Sequence, residues 1–154
     1  MPTKADHQIL IDTDVIINWL TKETETVTRK ELWKAPFEII SRIEAGRLKG
    51  FISLLTVFEI RFFLRRKKKI SESQVNADVQ KLTEIIEVLI PDEIELLRAN
   101  KLQSEYPLDP FDAILFSLAL GIPEVILISR DREFLRFASR FVEVSSPEEI
   151  ITRL

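Results

Sequence analysis

The sequence predicts a three-layer α/β/α sandwich around a central parallel sheet of about five strands. Three observations predict it. Five short apolar runs recur in the 154 residues: QILI (8–11), GFIS (50–53), IEVLI (86–90), EVILIS (124–129) and FVEV (141–144). Most are continuous rather than alternating, as in parallel strands covered on both faces. Helical segments separate them, and strands alternating with helices build a parallel sheet with helices on both sides.

The elements follow in order. The first strand ends in Asp12-Thr13-Asp14, and Asp14 is placed to cap the helix VIINWL. RKELWKAPFEIISRIEAG is amphipathic after Pro36, through Phe37, Ile40 and Ile43, and stops at Gly46. After the second strand, ISLLTVFEIRFFL reads as a helix with an apolar stripe. SESQ (71–74) and SPEE (146–149) carry the capping-box pattern, and Asp92 with Glu95 opens another helix. DPFDAILFSLALG has Asp109 as its cap, Pro110 at the first helical position and Gly121 at its end. No repeat, low-complexity segment or linker interrupts residues 1–154, so a single domain is expected.

Composition excludes several functions. The chain is 45% hydrophobic and 31% charged with a net charge of −3, so no global basic field awaits nucleic acid. It has no cysteine, which removes disulfides, thiolate metal sites and cysteine nucleophiles. Three glycines cannot assemble a Gly-rich phosphate loop. The start MPTKADHQ is polar and ILI is too short for the apolar region of a signal peptide, so none is expected, and no apolar run approaches the roughly 18 residues of a membrane span. A cytoplasmic protein without membrane contact is expected. His7, the one histidine, sits in the polar leader and is incidental to chemistry.

What needs explaining is the acids in apolar surroundings. Asp12 directly follows the first strand, where ligands gather in open α/β sheets. Glu59 lies among Val57, Phe58, Ile60, Phe62 and Phe63, and is expected to be largely buried. Pairing with Arg61 or Arg65 is its ordinary explanation. Asp112 stands in a first helical turn, where an acid also complements the helix dipole. Asp131 follows the fourth strand and could serve simply as a helix cap. Each has an ordinary reading alone, yet all four fall at strand ends or in first turns on one rim.

Four carboxylates in a partly desolvated cleft repel one another. A hard divalent cation such as magnesium relieves this, because it takes oxygen ligands and keeps several waters. Such a site polarises a phosphodiester and activates a water, so metal-dependent phosphoryl hydrolysis is the expected chemistry.

ILIDTDVIINWL, ISLLTVFEI, PFDAILFSLALGI and LISRDREFL, in that order and spacing, resemble the PIN domain, specifically the VapC-like toxin ribonucleases of toxin–antitoxin pairs. The resemblance runs from about residue 8 to 144. The family's strand-Asp-Thr motif is met by Asp12-Thr13-Asp14, its Thr-x-x-Glu by Thr56 and Glu59, its Asp-Ala by Asp112-Ala113, and its strand-Thr-x-Asp by Ser129 and Asp131. The resemblance implies that Asp12, Glu59, Asp112 and Asp131 hold Mg2+ or Mn2+ and are catalytic, with Asp14, Thr56 and Ser129 supporting them. Asp14 stands where the family more often has Asn or Ser, which leaves open whether it touches metal or orients Asp12. RNA as substrate, a homodimer and a VapB-like antitoxin partner are likewise implied by the resemblance.

The basic run Arg65, Arg66, Lys67, Lys68 and Lys69 follows Glu59. It reads either as a solvated helix end or as a clamp for RNA phosphates beside the acids. Little surface for stacking bases is expected, since the phenylalanines fall on core stripes. Three rivals to a ribonuclease remain: a haloacid-dehalogenase-like phosphatase using Asp12-x-Asp14, a phospho-accepting receiver domain, and a PIN fold kept only as a non-catalytic RNA-binding scaffold. Ile16, where the phosphatases want Thr or Val, opposes the first. The missing Lys after the fifth strand opposes the second, and the intact acidic quartet opposes the third.

Overall fold

The computed structural model describes residues 7–154. Five parallel strands form one sheet in the order β3-β2-β1-β4-β5: β1 His7–Ile11, β2 Leu48–Ser53, β3 Glu87–Leu89, β4 Val125–Ile128 and β5 Glu143–Ser145. All five expected strands are present, trimmed or shifted by a residue or two at their ends.

Strand geometry sends successive side chains to opposite faces, and this sheet fills both with apolar groups. Ile9, Ile11, Ile52, Ile126 and Ile128 face one core. Helices α1 (Thr13–Thr21), α2 (Lys34–Glu44), α3 (Leu54–Arg66) and α4 (Glu72–Ile85) cover it, together with α8 (Pro147–Arg153). Leu10, Phe51, Val125 and Leu127 face the other, under α6 (Pro110–Leu120) and α7 (Arg132–Ala138). Helix α5 (Glu93–Glu105) lies against α6, where Arg98 donates to the hydroxyl and carbonyl of Ser117. Ile9, Leu10 and Ile11 are fully buried, so truncating any of them to alanine should cost about 2–5 kcal/mol. Continuous apolar strands therefore report a sheet covered on both sides, as the sequence predicts.

Two glycines matter. Gly46 closes α2 with φ +76°, the left-handed conformation that glycine adopts freely. The Gly46 and Arg47 amides donate back to the Ile43 and Arg42 carbonyls. Gly50 lets β2 approach α2, because a Cβ there would sit 2.5 Å from Ile43 Cδ1.

Chain order reverses between β1 and β4, the strands whose neighbours lie on opposite sides of the sheet. Ligands in open α/β folds bind beyond the carboxyl ends of strands at such a point. Asp12 and Ser129 are the residues immediately past those two ends, and the Asp12 amide donates to the Ile128 carbonyl at 2.9 Å. The backbone itself thus joins the two strand ends before any side chain is considered.

Candidate active site

Asp12, not Asp14, caps α1, which corrects the sequence reading. The helix begins at Thr13, earlier than the pattern VIINWL suggests, because the strand passes into it without a loop. Asp12 Oδ1 accepts from the Thr13 amide at 2.8 Å, and Oδ2 accepts from the Ser129 hydroxyl at 2.7 Å. Burial raises the Asp12 pKa above the usual carboxylate range, and Asp131 and Asp109 add repulsion, while the two hydrogen bonds oppose the rise. Ser129 is fully buried and also accepts from the Asp131 amide at 3.1 Å, so one hydroxyl ties both acids to the end of β4.

Glu59 is half-buried, less than expected from its apolar neighbours. It stands on α3 where the Phe58 side is open, and its partner is neither Arg61 nor Arg65. Thr13 donates to Glu59 Oε1 at 2.8 Å, and the Thr13 and Thr56 hydroxyls lie 3.0 Å apart. Arg61 hydrogen-bonds Asn76 instead. Burial raises the Glu59 pKa despite the Thr13 hydrogen bond, with Asp12 and Asp109 repelling it further. Thr13 is thus a positioning residue that sequence reasoning passed over. Its place inside Asp-Thr-Asp was the available signal.

Asp109 caps α6, its Oδ1 accepting from the Asp112 amide at 2.9 Å, so the cap role falls to Asp109 as expected. Asp112 is thereby free of capping. Burial first, then Asp109, Asp12 and Asp131, push its pKa up to about 8. Asp109 faces the same acids and was read only as a cap. Two aspartates three apart across a helix start, DPFD, were the signal for it.

Asp12, Glu59, Asp109 and Asp112 line one cavity of about 100 Å³, together with Thr13, Ser53 and Thr56. Asp109 and Asp112 also border the neighbouring cavity, where Asp131 joins them. Asp131 is exposed and caps α7 by accepting from the Phe134 amide at 3.0 Å. The four acids singled out in the sequence therefore meet at one mouth of the sheet, three in one cavity and the fourth beside it. Among the described residues, no three acids stand close enough together as their side chains lie to hold a metal ion between them. The donors still fit a hard divalent cation. They are all oxygens, they repel one another, and the cavity has room for an ion that keeps several waters and uses few carboxylates.

Asp14 stands apart from this cavity. Its carboxylate accepts from the Val15 amide at 2.8 Å, and burial and then Asp12 raise its pKa to about 7 against the pull of Arg130. Arg130 itself binds Asn18, Glu148 and the Leu32 carbonyl, clamping the β4–α7 turn to α1 and α8. Asp92, the acid after the third strand, caps α5 with a complete capping box at the sheet edge.

The basic run is exposed: Arg65 and Arg66 end α3, Lys67 caps it, and Lys68 and Lys69 follow. Among the described residues lining the two acidic cavities, none comes from 65–69. At 1.5 Å per residue Arg65 and Arg66, the part of the run within α3, sit roughly 9–11 Å along the helix axis from Glu59. The expectation about stacking surface also needs correcting. Phe58, Phe62 and Phe111 are 54%, 62% and 49% exposed, and they line a third cavity that shares Thr13 and Glu59 with the acidic one.

The PIN domain profile matches residues 9–139, most of the chain. This chain belongs to the PIN domain family. Its fold is shared with solved structures at low identity. The chain is 11% identical to one from the Rickettsia felis VapBC2 complex bound to a promoter DNA fragment, with a TM-score of 0.68 over 90% of this chain and 98% of that one. It is 16% identical to one from DNA-bound VapBC of Salmonella typhimurium, with a TM-score of 0.67 over 92% and 98%. Against VapBC-1 of nontypeable Haemophilus influenzae the identity is 17% and the TM-score 0.64, over 92% and 98%. No curated relative matches this PIN domain by sequence.

Proposed function

We propose that this PIN domain is a metal-dependent endoribonuclease, the toxin of a toxin–antitoxin pair, working at the acidic cavity. The observation that carries the reading is the meeting of Asp12, Glu59 and Asp112 in one cavity past the β1 end, with Asp131 beside them. Asp12, Glu59, Asp112 and Asp131 would hold Mg2+ or Mn2+, and Asp109 strengthens the negative field. A bound divalent ion would polarise the phosphodiester and supply an activated water.

The chain's own groups prepare that site. Ser129 and the Thr13 amide hold both oxygens of Asp12 in place and favour its charged form. The Thr56–Thr13 hydroxyl pair fixes Glu59 toward the same cavity. Asp14 lies outside that lining and against Arg130, which weakens the phosphatase reading, where it would act as an acid beside Asp12.

A VapB-like antitoxin is the proposed partner, supported by the VapBC assemblies among the solved relatives. A homodimer is proposed as well, since Ile94 and Leu97 on α5 present exposed apolar surface for a second copy. Among the described residues no helix is long and apolar enough to cross a membrane.

The test is cleavage of single-stranded and structured RNA by purified protein. RNA should be cut with Mg2+ or Mn2+ present and left intact with chelator, and Asp12→Asn and Asp112→Asn should each abolish cutting while keeping the fold. A phosphomonoester should be left intact. Cleavage that survives chelator, or persists in both variants, overturns the reading.

A further inference from the structure

We propose that Phe58, Phe62 and Phe111 form a stacking shelf that takes unpaired bases of an RNA strand whose backbone runs from the acidic cavity toward Arg66. The proposal rests on the nuclease reading for its substrate and adds how that substrate is held. Large exposed aromatic side chains clustered on one surface mark a binding site more often than scattered ones do. Phe58 and Phe62 are one helical turn apart on α3 and so share a face. Phe111, in the first turn of α6, closes the same groove from the other side. Glu59 and Thr13 line this groove and the acidic cavity alike, so the shelf opens directly onto the acids.

Charge selects nucleic acid over an apolar protein segment as the occupant. The Arg66 guanidinium lies 5.9 Å from the Phe62 ring centroid, which places one cation of the basic run at the rim of the shelf. An aromatic platform flanked by cations is how proteins hold single strands: every base offers a π face, and the cations take the phosphates. The basic run, which lines neither acidic cavity, thereby gains a place along the same strand. Duplex RNA cannot use the shelf, because its bases are already stacked on one another.

The test is binding of a single-stranded oligouridine 12-mer in chelator, beside an abasic 12-mer of equal charge. Phe58→Ala, Phe62→Ala and Phe111→Ala should each weaken oligouridine binding on the order of 5- to 100-fold and leave the abasic strand unchanged. Phe62→Tyr should bind like the parent chain, and melting curves should match throughout, since all three rings are half-exposed. Equal affinity for oligouridine in the alanine variants overturns the proposal, as does an equal loss on the abasic strand. Variants that keep oligouridine yet lose hold of an amphipathic helical peptide would give the shelf to a protein partner and overturn it as well. Cleavage by the parent chain, scored separately, tells a failed shelf from a failed nuclease: an intact metal-dependent cut with indifferent phenylalanines condemns only the shelf.

Discussion

Asp112 shows how one residue separates stability from function. Its carboxyl is held at about 8, against an ordinary value of 3.8, chiefly by burial and then by the neighbouring aspartates. A carboxyl raised in the folded state stabilises the fold fully below about pH 4 and loses that contribution as pH rises through about 8. At neutral pH and above, the charged form therefore works against folding when no cation is bound. Asp112→Asn should melt higher than the parent chain at pH 8, and the gap should close toward pH 4. The helix keeps its cap in this variant, because Asp109 supplies it. Melting curves from pH 4 to 9 in chelator check this. A variant that melts lower at pH 8 would mean that Asp112 contributes interactions outweighing its repulsion.

Helix α3 shows what residue order made legible and what it hid. Its apolar stripe and its basic end follow from residue order, while its cap at Ser53 was not read there. The side facing outward does not follow from residue order either, because Phe58 and Phe62 share one face while Phe63 stands about 100° round from Phe62, and only the packed sheet decides which of these faces is covered. The same holds for Asp12 and Asp14. Either could cap a helix, and the choice came from how abruptly β1 turns into α1, a property of strand length and register rather than of the residues. Strand ends were readable to within two residues, since Asp, Ser and Gly punctuate them, and the four acids were readable because charge in an apolar run has few explanations. Among the hydroxyl partners, Thr56 and Ser129 came with the family resemblance, whereas Thr13 was passed over, because a threonine near a strand end fits many environments. The basic end of α3 carries its own prediction. Replacing Lys67, Lys68 and Lys69 with alanine should weaken binding of RNA of any sequence and flatten its dependence on salt. The log–log slope should fall by about 0.7 for each single-strand phosphate that these lysines neutralise. Binding measured from low to moderate salt checks this, and an unchanged slope would leave the run as a solvated helix end.

At the scale of the whole molecule, the sheet gathers mutually repelling acids at its switch point, and folding has to hold them there. The arrangement is tolerable because two apolar cores, one on each face, lock the strands whose ends carry the acids. A cation that binds the folded mouth and not the unfolded chain should therefore raise stability by mass action. At a free ion concentration roughly 100 times its dissociation constant the gain is about 2.7 kcal/mol. For a domain of this length that corresponds to a melting temperature roughly 5–11 °C higher. Mg2+ or Mn2+ should produce such a rise, chelator should reverse it, and Asp12→Asn should lose most of it while folding normally. Asp14→Asn should keep the rise, because Asp14 faces Arg130 and lies outside the cavity lining. A parent chain whose melting temperature ignores both ions would mean that the acids never share a cation, and the metal-dependent reading would fail without any appeal to RNA.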